Sequence, residues 1–395
     1  MWLFLFWASL ALVLYPYAGY PAILYLLGRL RRRHDAASSD LRTPSVCLVI
    51  SAFNEEAVIR QKIENSLALE RRGAMKIVVA SDGSNDRTVT IARGYEARGV
   101  VVDHFERRRG KNAVLNEVVK AAVEDIIVFT DANCMFAPDA VVRLLERFEN
   151  PAVGCVVGGH RYAEDATSAG QSESLYWRYE SRIKALESSI GSVVVANGPI
   201  FAVRRTLFRD LFTDVGNDLQ TPLDVASLGY ETVYEPRAMA VERATDLWEE
   251  EFGRKVRMVM RGLTAWKRMR SHMSAQHLWQ FISHKLIRWC VGALLVITLV
   301  SSAVLARDNV YFAAFLALQL LCYAAAFAGF MMRRSERMPG VLKVPFYFTM
   351  VNFAAMVAMG RFVIGGRQSM WEKAESTRKE STSNPFPANG RTVEK

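Results

Sequence analysis

The sequence predicts an α/β domain, a mostly parallel sheet flanked by helices, joined to α-helical transmembrane segments. Three observations carry that expectation. From Ser45 onward, short apolar runs alternate with amphipathic stretches. Outside that region four segments stay apolar for about 20 residues, the length that spans a bilayer. Charge is also segregated along the 395-residue chain. With 51% hydrophobic and 23% charged residues, the composition excludes a disordered chain, a collagen-like fibre and a small disulfide scaffold.

The first apolar segment, Trp2–Leu27, lacks the basic start, short apolar core and small-residue cleavage site of a signal peptide. Residues 1–30 therefore read as an N-terminal anchor, with Arg29, Arg31, Arg32 and Arg33 on the cytoplasmic side. Three further spans are expected near Ile287–Leu305, Val310–Met332 and Val344–Ile364, a membrane region over residues 287–366. Arg333, Arg334, Arg337 and Lys343 mark the linker before the last as cytoplasmic. A helix buried in a soluble core is the alternative for each, and strongest for the last, which Arg361 interrupts. If all four span, the C-terminus lies outside; if the last is re-entrant or interfacial, it is cytoplasmic. Together these features place a multi-pass chain in the cell (inner) membrane, with residues 44–253 in the cytoplasm.

The net charge of +10 would suit a nucleic-acid binder or a membrane protein, and its distribution decides. Residues 44–253 hold 24 basic and 32 acidic residues, so the longest globular-looking stretch is acidic. Residues 254–288 hold nine basic and no acidic residues. Nucleic-acid phosphates need a basic face on the folded domain, so no nucleic-acid partner is expected. Polybasic stretches beside apolar segments suit an anionic bilayer surface. Trp266, Leu278, Trp279 and Phe281 interleave with the basic residues, so residues 254–286 read as interfacial helices. A solvated basic connector is the alternative. The five cysteines are isolated and show neither metal-ligand spacing nor a disulfide framework. The Ser/Thr/Lys/Glu-rich residues 375–395 read as a disordered tail.

Within the cytoplasmic region, strands are expected at Val46–Ser51, Lys76–Ser81, Val100–Asp103 and Ile126–Thr130. Helices are expected up to Glu70, from Thr88 and over Lys111–Glu124. Strand–helix alternation at this spacing predicts a parallel sheet with right-handed crossovers. Ligands of such sheets bind outside the carboxyl ends of the strands, where the polar clusters fall. Asp82, closing the second strand, suits a base or ribose, while Asn85 or Asp86 caps the helix that follows. Arg107-Arg108-Arg109-Gly110-Lys111 precedes a helix N-terminus and suits a diphosphate, with a solvated loop as the alternative. Asp131 and Asn133 follow a buried strand and could hold a divalent cation or merely form an Asx turn. Glu173, Trp177, Glu180, Lys184 and Glu187 share one helix face. The indole would either stack on a sugar or pack on the sheet. Asp218, in a short loop before a helix, is either a general base or an N-cap.

In this order the clusters resemble the inverting family-2 glycosyltransferases, in the membrane-embedded, polysaccharide-making branch. The resemblance covers about Ser45 to Gly262. It rests on Ser51-Ala52-Phe53-Asn54-Glu55-Glu56, Asp82-Gly83-Ser84-Asn85-Asp86, Lys111-Asn112-Ala113-Val114-Leu115-Asn116 and Asp131-Ala132-Asn133. Ala196-Asn197-Gly198-Pro199-Ile200-Phe201-Ala202-Val203-Arg204-Arg205 also resembles the family's acceptor-side strand, which would place Asn197 and Gly198, with Trp177 and Glu180, toward the acceptor. The resemblance implies a GT-A-type, Rossmann-like sheet over residues 44–253. It implies Asn54, Glu55 and Asp82 on uracil and ribose, and Lys111 with Arg109 on the diphosphate. Asp131 with Asn133 would hold Mg2+ or Mn2+, and Asp218 would be the catalytic base.

The implied partners are a nucleotide-sugar donor, a lipid-linked or polysaccharide acceptor, the lipid bilayer and further polysaccharide-assembly subunits. Two departures stand out. Asn133 replaces the family's usual second Asp, which would shift metal affinity or choice. Arg254-Lys255-Val256-Arg257-Met258 stands where processive synthases carry Gln-x-x-Arg-Trp, which favours single-sugar extension or priming on a lipid-linked acceptor. A non-enzymatic reading, a membrane-tethered subunit that binds sugar nucleotides without turnover, is permitted by Asn133.

Overall fold

A computed structural model describes residues 1–31, 43–163, 168–191, 193–243, 247–335 and 338–366, with the side chains of 168–176 excepted. Arg32, Arg33, Arg337, the Glu173 side chain and the tail 375–395 lie outside the described residues. The chain divides into two compact units. One comprises residues 32–166, 177–244 and 369–395, and the other 1–31, 167–176 and 245–368.

The first of these is an eight-stranded mixed sheet flanked by helices. Its strands are β1 Val46–Ala52, β2 Met75–Asp82, β3 Val100–Phe105, β4 Ile126–Asp131, β5 Cys134–Phe136, β6 Val153–Tyr162, β7 Phe201–Arg204 and β8 Glu231–Glu242. Their order is β3-β2-β1-β4-β7-β6-β8-β5. The four expected strands form its parallel part, β1 between β2 and β4, with β3 outside β2. Helices Ile59–Leu67, Thr88–Arg93 and Lys111–Ala121 follow β1, β2 and β3. β1 is apolar throughout because both its faces are covered. Val46, Leu48 and Ile50 pack with Ile59 and Ile63. Cys47 and Val49 pack on the other side with Val114, Leu115 and Val118.

Beyond β4 the sheet turns antiparallel through β7, then regains parallel pairing between β6 and β8. β6 carries an irregularity at Gly158–Gly159, where a Cβ on Gly158 would lie 2.7 Å from the Ala238 carbonyl oxygen. Of β5 to β8, only β7 was expected, through the resemblance of Ala196–Arg205 to an acceptor-side strand.

Among the described residues of the other unit, four helices are long and apolar enough to cross a membrane: Trp2–Leu30, Ala275–Leu305, Val310–Met331 and Gly340–Val363. Phe4, Trp7, Leu321 and Phe327 on them are more than half exposed, as expected of lipid-facing side chains. Arg361 lies in the last turn of its helix, so it borders the apolar stretch instead of breaking it. The segment expected as interfacial helices divides differently. Trp248–Met269 is one helix, and Val256, Val259 and Met260 on it pack against Ala354, Ala355 and Ala358. From Ala275 the chain already belongs to the second apolar helix, through a π-helical turn at Ile282–Leu286. Glu251 is fully buried and met by Arg254 at 2.7 Å, Lys255 at 3.2 Å and the Tyr347 hydroxyl at 3.2 Å. All five cysteines are unpaired.

Candidate active site

The residues singled out around β1, β2 and β4 converge at the carboxyl ends of those neighbouring strands. Asn54, just past β1, takes a left-handed backbone conformation (φ 51°), which a non-glycine residue adopts only when held there. What holds it is the loop after β2. The Asn54 N–H donates to Ser84 Oγ at 3.0 Å, and its Oδ1 accepts the Asn85 N–H at 2.9 Å. Glu55 is buried, and its N–H donates to Thr88 Oγ1 at 2.7 Å. Asp86, rather than Asn85, receives the Thr88 N–H at the start of the next helix, at 2.9 Å.

Asp82 is buried at the end of β2, and its carboxylate grips the basic loop. It accepts the Arg109 N–H at 2.7 Å and the Gly110 N–H at 3.0 Å. Gly83 (φ +70°) lets the two loops touch, since a Cβ there would sit 2.6 Å from the Arg108 nitrogen. Arg108 lies over the Phe53 ring at 4.1 Å. The Arg109 guanidinium points elsewhere, to Glu117 at 3.2 Å, and is half exposed. Lys111 opens its helix and reaches Asp131 Oδ1 at 2.5 Å, with both side chains mostly buried.

Asp131 and Asn133 were expected to hold a cation, and their chemistry can be weighed. Among the described residues no group of three or more His, Cys, Asp or Glu side chains is arranged to hold a metal ion. Asp131 offers one carboxylate, paired with a lysine, and Asn133 an amide whose nitrogen donates to Glu242 Oε1 at 2.8 Å. Such a set does not suit a resident ion. It fits a Mg2+ or Mn2+ ion that takes most of its ligands from phosphate and water.

Beneath this loop lies Lys62, fully buried on Ile59–Leu67, a residue that the sequence did not single out. It donates to the Cys134 carbonyl at 2.5 Å and sits 4.0 Å from the centre of the Phe136 ring. Burial pulls its pKa down to about 8, against the smaller opposing pull of Cys134 and Asp131.

Asp218 lies in the first turn of Asn217–Ser227, whose N-cap position is held by Gly216, so Asp218 is not the N-cap. Its main-chain oxygen accepts the Ala196 N–H at 2.7 Å. A Cβ on Gly198 would lie 3.8 Å from its Oδ2, so the Asn197–Gly198 turn and Asp218 are adjacent. The half-exposed Asp218 carboxylate has no hydrogen-bond partner among the described residues, as a base awaiting a proton needs. Asn112 ties this corner to the basic loop, donating to the carbonyls of Phe212 at 2.6 Å and Val215 at 2.8 Å. Asn116 exchanges two bonds with Leu211. Their spacing of four on a helix was a legible signal, because two amides on one face need acceptors there.

Glu180 and Asn197 are buried. Trp177 meets His160 edge-on at 4.9 Å and Tyr162 at 6.4 Å, both on β6, and Lys184 lies over its ring at 5.1 Å. Of its two readings, this geometry matches packing on the sheet.

Residues 47–212 match the family model for Glycosyl transferase family 2. Curated relatives include an N-acetylglucosaminyltransferase of Rhizobium leguminosarum bv. viciae, 25% identical over 225 residues, 51% of this chain and 52% of the relative. A poly-beta-1,6-N-acetyl-D-glucosamine synthase of Staphylococcus epidermidis is 25% identical over 54% of each chain. The chain thus spans about half the length of these relatives. Among solved structures, a mannosyltransferase from Pyrobaculum calidifontis in complex with GDP-Man and Mn2+ shares the fold. Its TM-score is 0.70 at 20% identity, over 91% of this chain and 99% of that one.

Proposed function

We propose that this chain, which carries a Glycosyl transferase family 2 domain over residues 47–212, transfers a hexosyl group from a nucleotide diphosphate sugar, with inversion, to an acceptor hydroxyl. A UDP-sugar is the proposed donor. The curated relatives make UDP-N-acetylglucosamine the first to try. The acceptor is a lipid-linked sugar or growing polysaccharide, and the protein is multi-pass in the inner membrane with residues 44–253 cytoplasmic. Four apolar helices and the basic residues beside them support that placement.

The observation that carries the reading is the Lys111–Asp131 pair, at the carboxyl edge of the sheet beside the loop held by Asp82. An ammonium and a carboxylate placed together suit a diphosphate that arrives with a divalent cation. Asn54 and Glu55 line the nucleoside end, while Asp82 acts by shaping the loop. Lys111 meets the diphosphate directly. Asp131 and Asn133 would hold Mg2+ or Mn2+, which supplies neutralisation of the leaving group's charge when bound. The acceptor oxygen attacks the anomeric carbon and the bond to the diphosphate oxygen breaks. The hydroxyl proton passes to Asp218, and nucleoside diphosphate leaves. A positioned base contributes about 10²–10⁴ to such a step.

The test is release of nucleoside diphosphate from a panel of UDP-, GDP- and dTDP-sugars by the full chain in detergent with Mn2+. Release with one donor, abolished in Asp218→Asn, is the expected result. Tight binding of UDP and Mn2+ with no release from any donor would instead identify a sugar-nucleotide-binding partner subunit without turnover.

A further inference from the structure

Three polar side chains, His160 and Lys184 buried and Glu242 partly so, take no part in the proposed reaction, and they touch its two ends. Glu242 closes β8. One of its oxygens accepts the Asn133 amide at 2.8 Å, and the other meets His160 Nε2 at 3.2 Å. His160 is 4% exposed, and its Nδ1 has no hydrogen-bond partner among the described residues. Its ring abuts Trp177, and Lys184 lies over that indole. Lys184, 2% exposed, donates to Asn197 Oδ1, while the Asn197 amide donates to the Gly158 carbonyl at 2.7 Å. Beyond Asn197 come Gly198 and the Asp218 carboxylate.

A core built only for stability has little use for this arrangement. Burying a cation and a carboxylate costs free energy unless each is paired, and apolar residues of similar volume often serve as well. What the charges add is directional fixing of two amides, Asn133 and Asn197, one on each side of the reaction. We propose that Glu242, His160 and Lys184 are positioning residues that form a largely buried relay. The relay sets the donor-side Asn133 and the acceptor-side turn at Asn197 in register. This rests on the donor and acceptor sides assigned under Proposed function. Disturbance at either end is carried to the other, although no relay member touches the reacting atoms.

Calorimetric titration of the full chain in detergent with UDP and Mn2+ tests the relay in wild type, Glu242→Gln, Lys184→Met and the double variant. Glu242→Gln should weaken UDP binding about tenfold and Lys184→Met about threefold, within the span of measured couplings. The double variant should be no weaker than Glu242→Gln, and Lys184→Arg should restore binding. Wild-type UDP affinity in Lys184→Met, or two losses that multiply in the double variant, would overturn the relay.

Hydrogen exchange supplies an arm that needs no ligand and reveals any variant that fails to fold. Glu242→Gln should speed exchange of the Ala196 N–H, and Lys184→Met that of peptides over residues 131–136, with the rest of the sheet unchanged. A wild type that binds no UDP but shows these remote changes would sink the functional reading and keep the relay. Changes confined to each variant's own contacts would sink the relay itself.

Discussion

At the ends of β1 and β2, polar groups are fixed by backbone groups and hydroxyls of neighbouring loops. Around β6 and β8 they are fixed by other buried side chains. Asp82 is held by the Arg109 and Gly110 N–H groups, and Asn54 by the Ser84 hydroxyl and the Asn85 N–H. Asn133 depends on Glu242, and Asn197 on Lys184. Loops that bond one another through the backbone keep their shape whatever ligand is present, which suits a donor site that must recognise a fixed nucleotide. Desolvated side-chain networks are strong only while every member is present, so the region around β6 and β8 should fail more steeply when one member is removed.

The largest test of that contrast is Asp218→Asn. Turnover should fall at least about 10²-fold while UDP affinity, by calorimetry, stays within about twofold. An equal loss of binding would place Asp218 on the donor side and erase the division.

Lys62 is a fully buried ammonium in the parallel half, beneath the Asp131–Cys134 segment. Its folded pKa of about 8 lies below its ordinary value of 10.5, so the unfolded chain holds the proton more tightly. Between those values the unfolded state binds more protons, and stability must rise with pH. The cost of the charge is fully present below about 8, and amounts to roughly 3 kcal/mol. The unfolding midpoint of wild type, measured against that of Lys62→Met, should therefore improve between pH 7.5 and 9.5. Parallel curves for the two proteins would mean that Lys62 is not a buried cation.

Asp82→Ala should cost about 2 kcal/mol of stability, because two N–H groups of the basic loop lose a charged acceptor. UDP binding should weaken severalfold with it. If binding falls while the melting temperature holds, Asp82 touches the nucleotide itself. Arg109→Ala should matter least. Its exposed guanidinium is engaged by Glu117, so UDP affinity should change less than about threefold, and less still in high salt.

How much of this was legible varies along the chain. The strands β1 to β4 were readable because each is a short apolar run bounded by Gly, Asp or Asn, and their parallel pairing followed from strand–helix alternation, although their order did not. β5, β6 and β8 were not, since antiparallel and mixed pairing leaves no alternation of strands with helices to read, and β7 was legible only through the resemblance of Ala196–Arg205 to a known strand. Asp131 and Lys111 were each visible as single residues, but their 2.5 Å contact was not. Arg109 was chosen for its charge, whereas its backbone N–H turns out to be the group that Asp82 uses.

Composition and periodicity alone determined an acidic α/β region between apolar, base-flanked helices, because both follow from which residues can face water, core or lipid. Local motifs alone placed Asn54, Asp82, Lys111, Asp131 and Asp218 near strand ends or helix starts. Only the tertiary structure decided which of them meet. Asn133 and Glu242 lie more than a hundred residues apart, and nothing short-range in either links them. Lys62 and Cys134 are 72 residues apart and Asn112 and Val215 are 103 apart, again with nothing short-range to link them. A buried polar atom must find a partner wherever the fold brings one, and that demand carries no sequence spacing of its own.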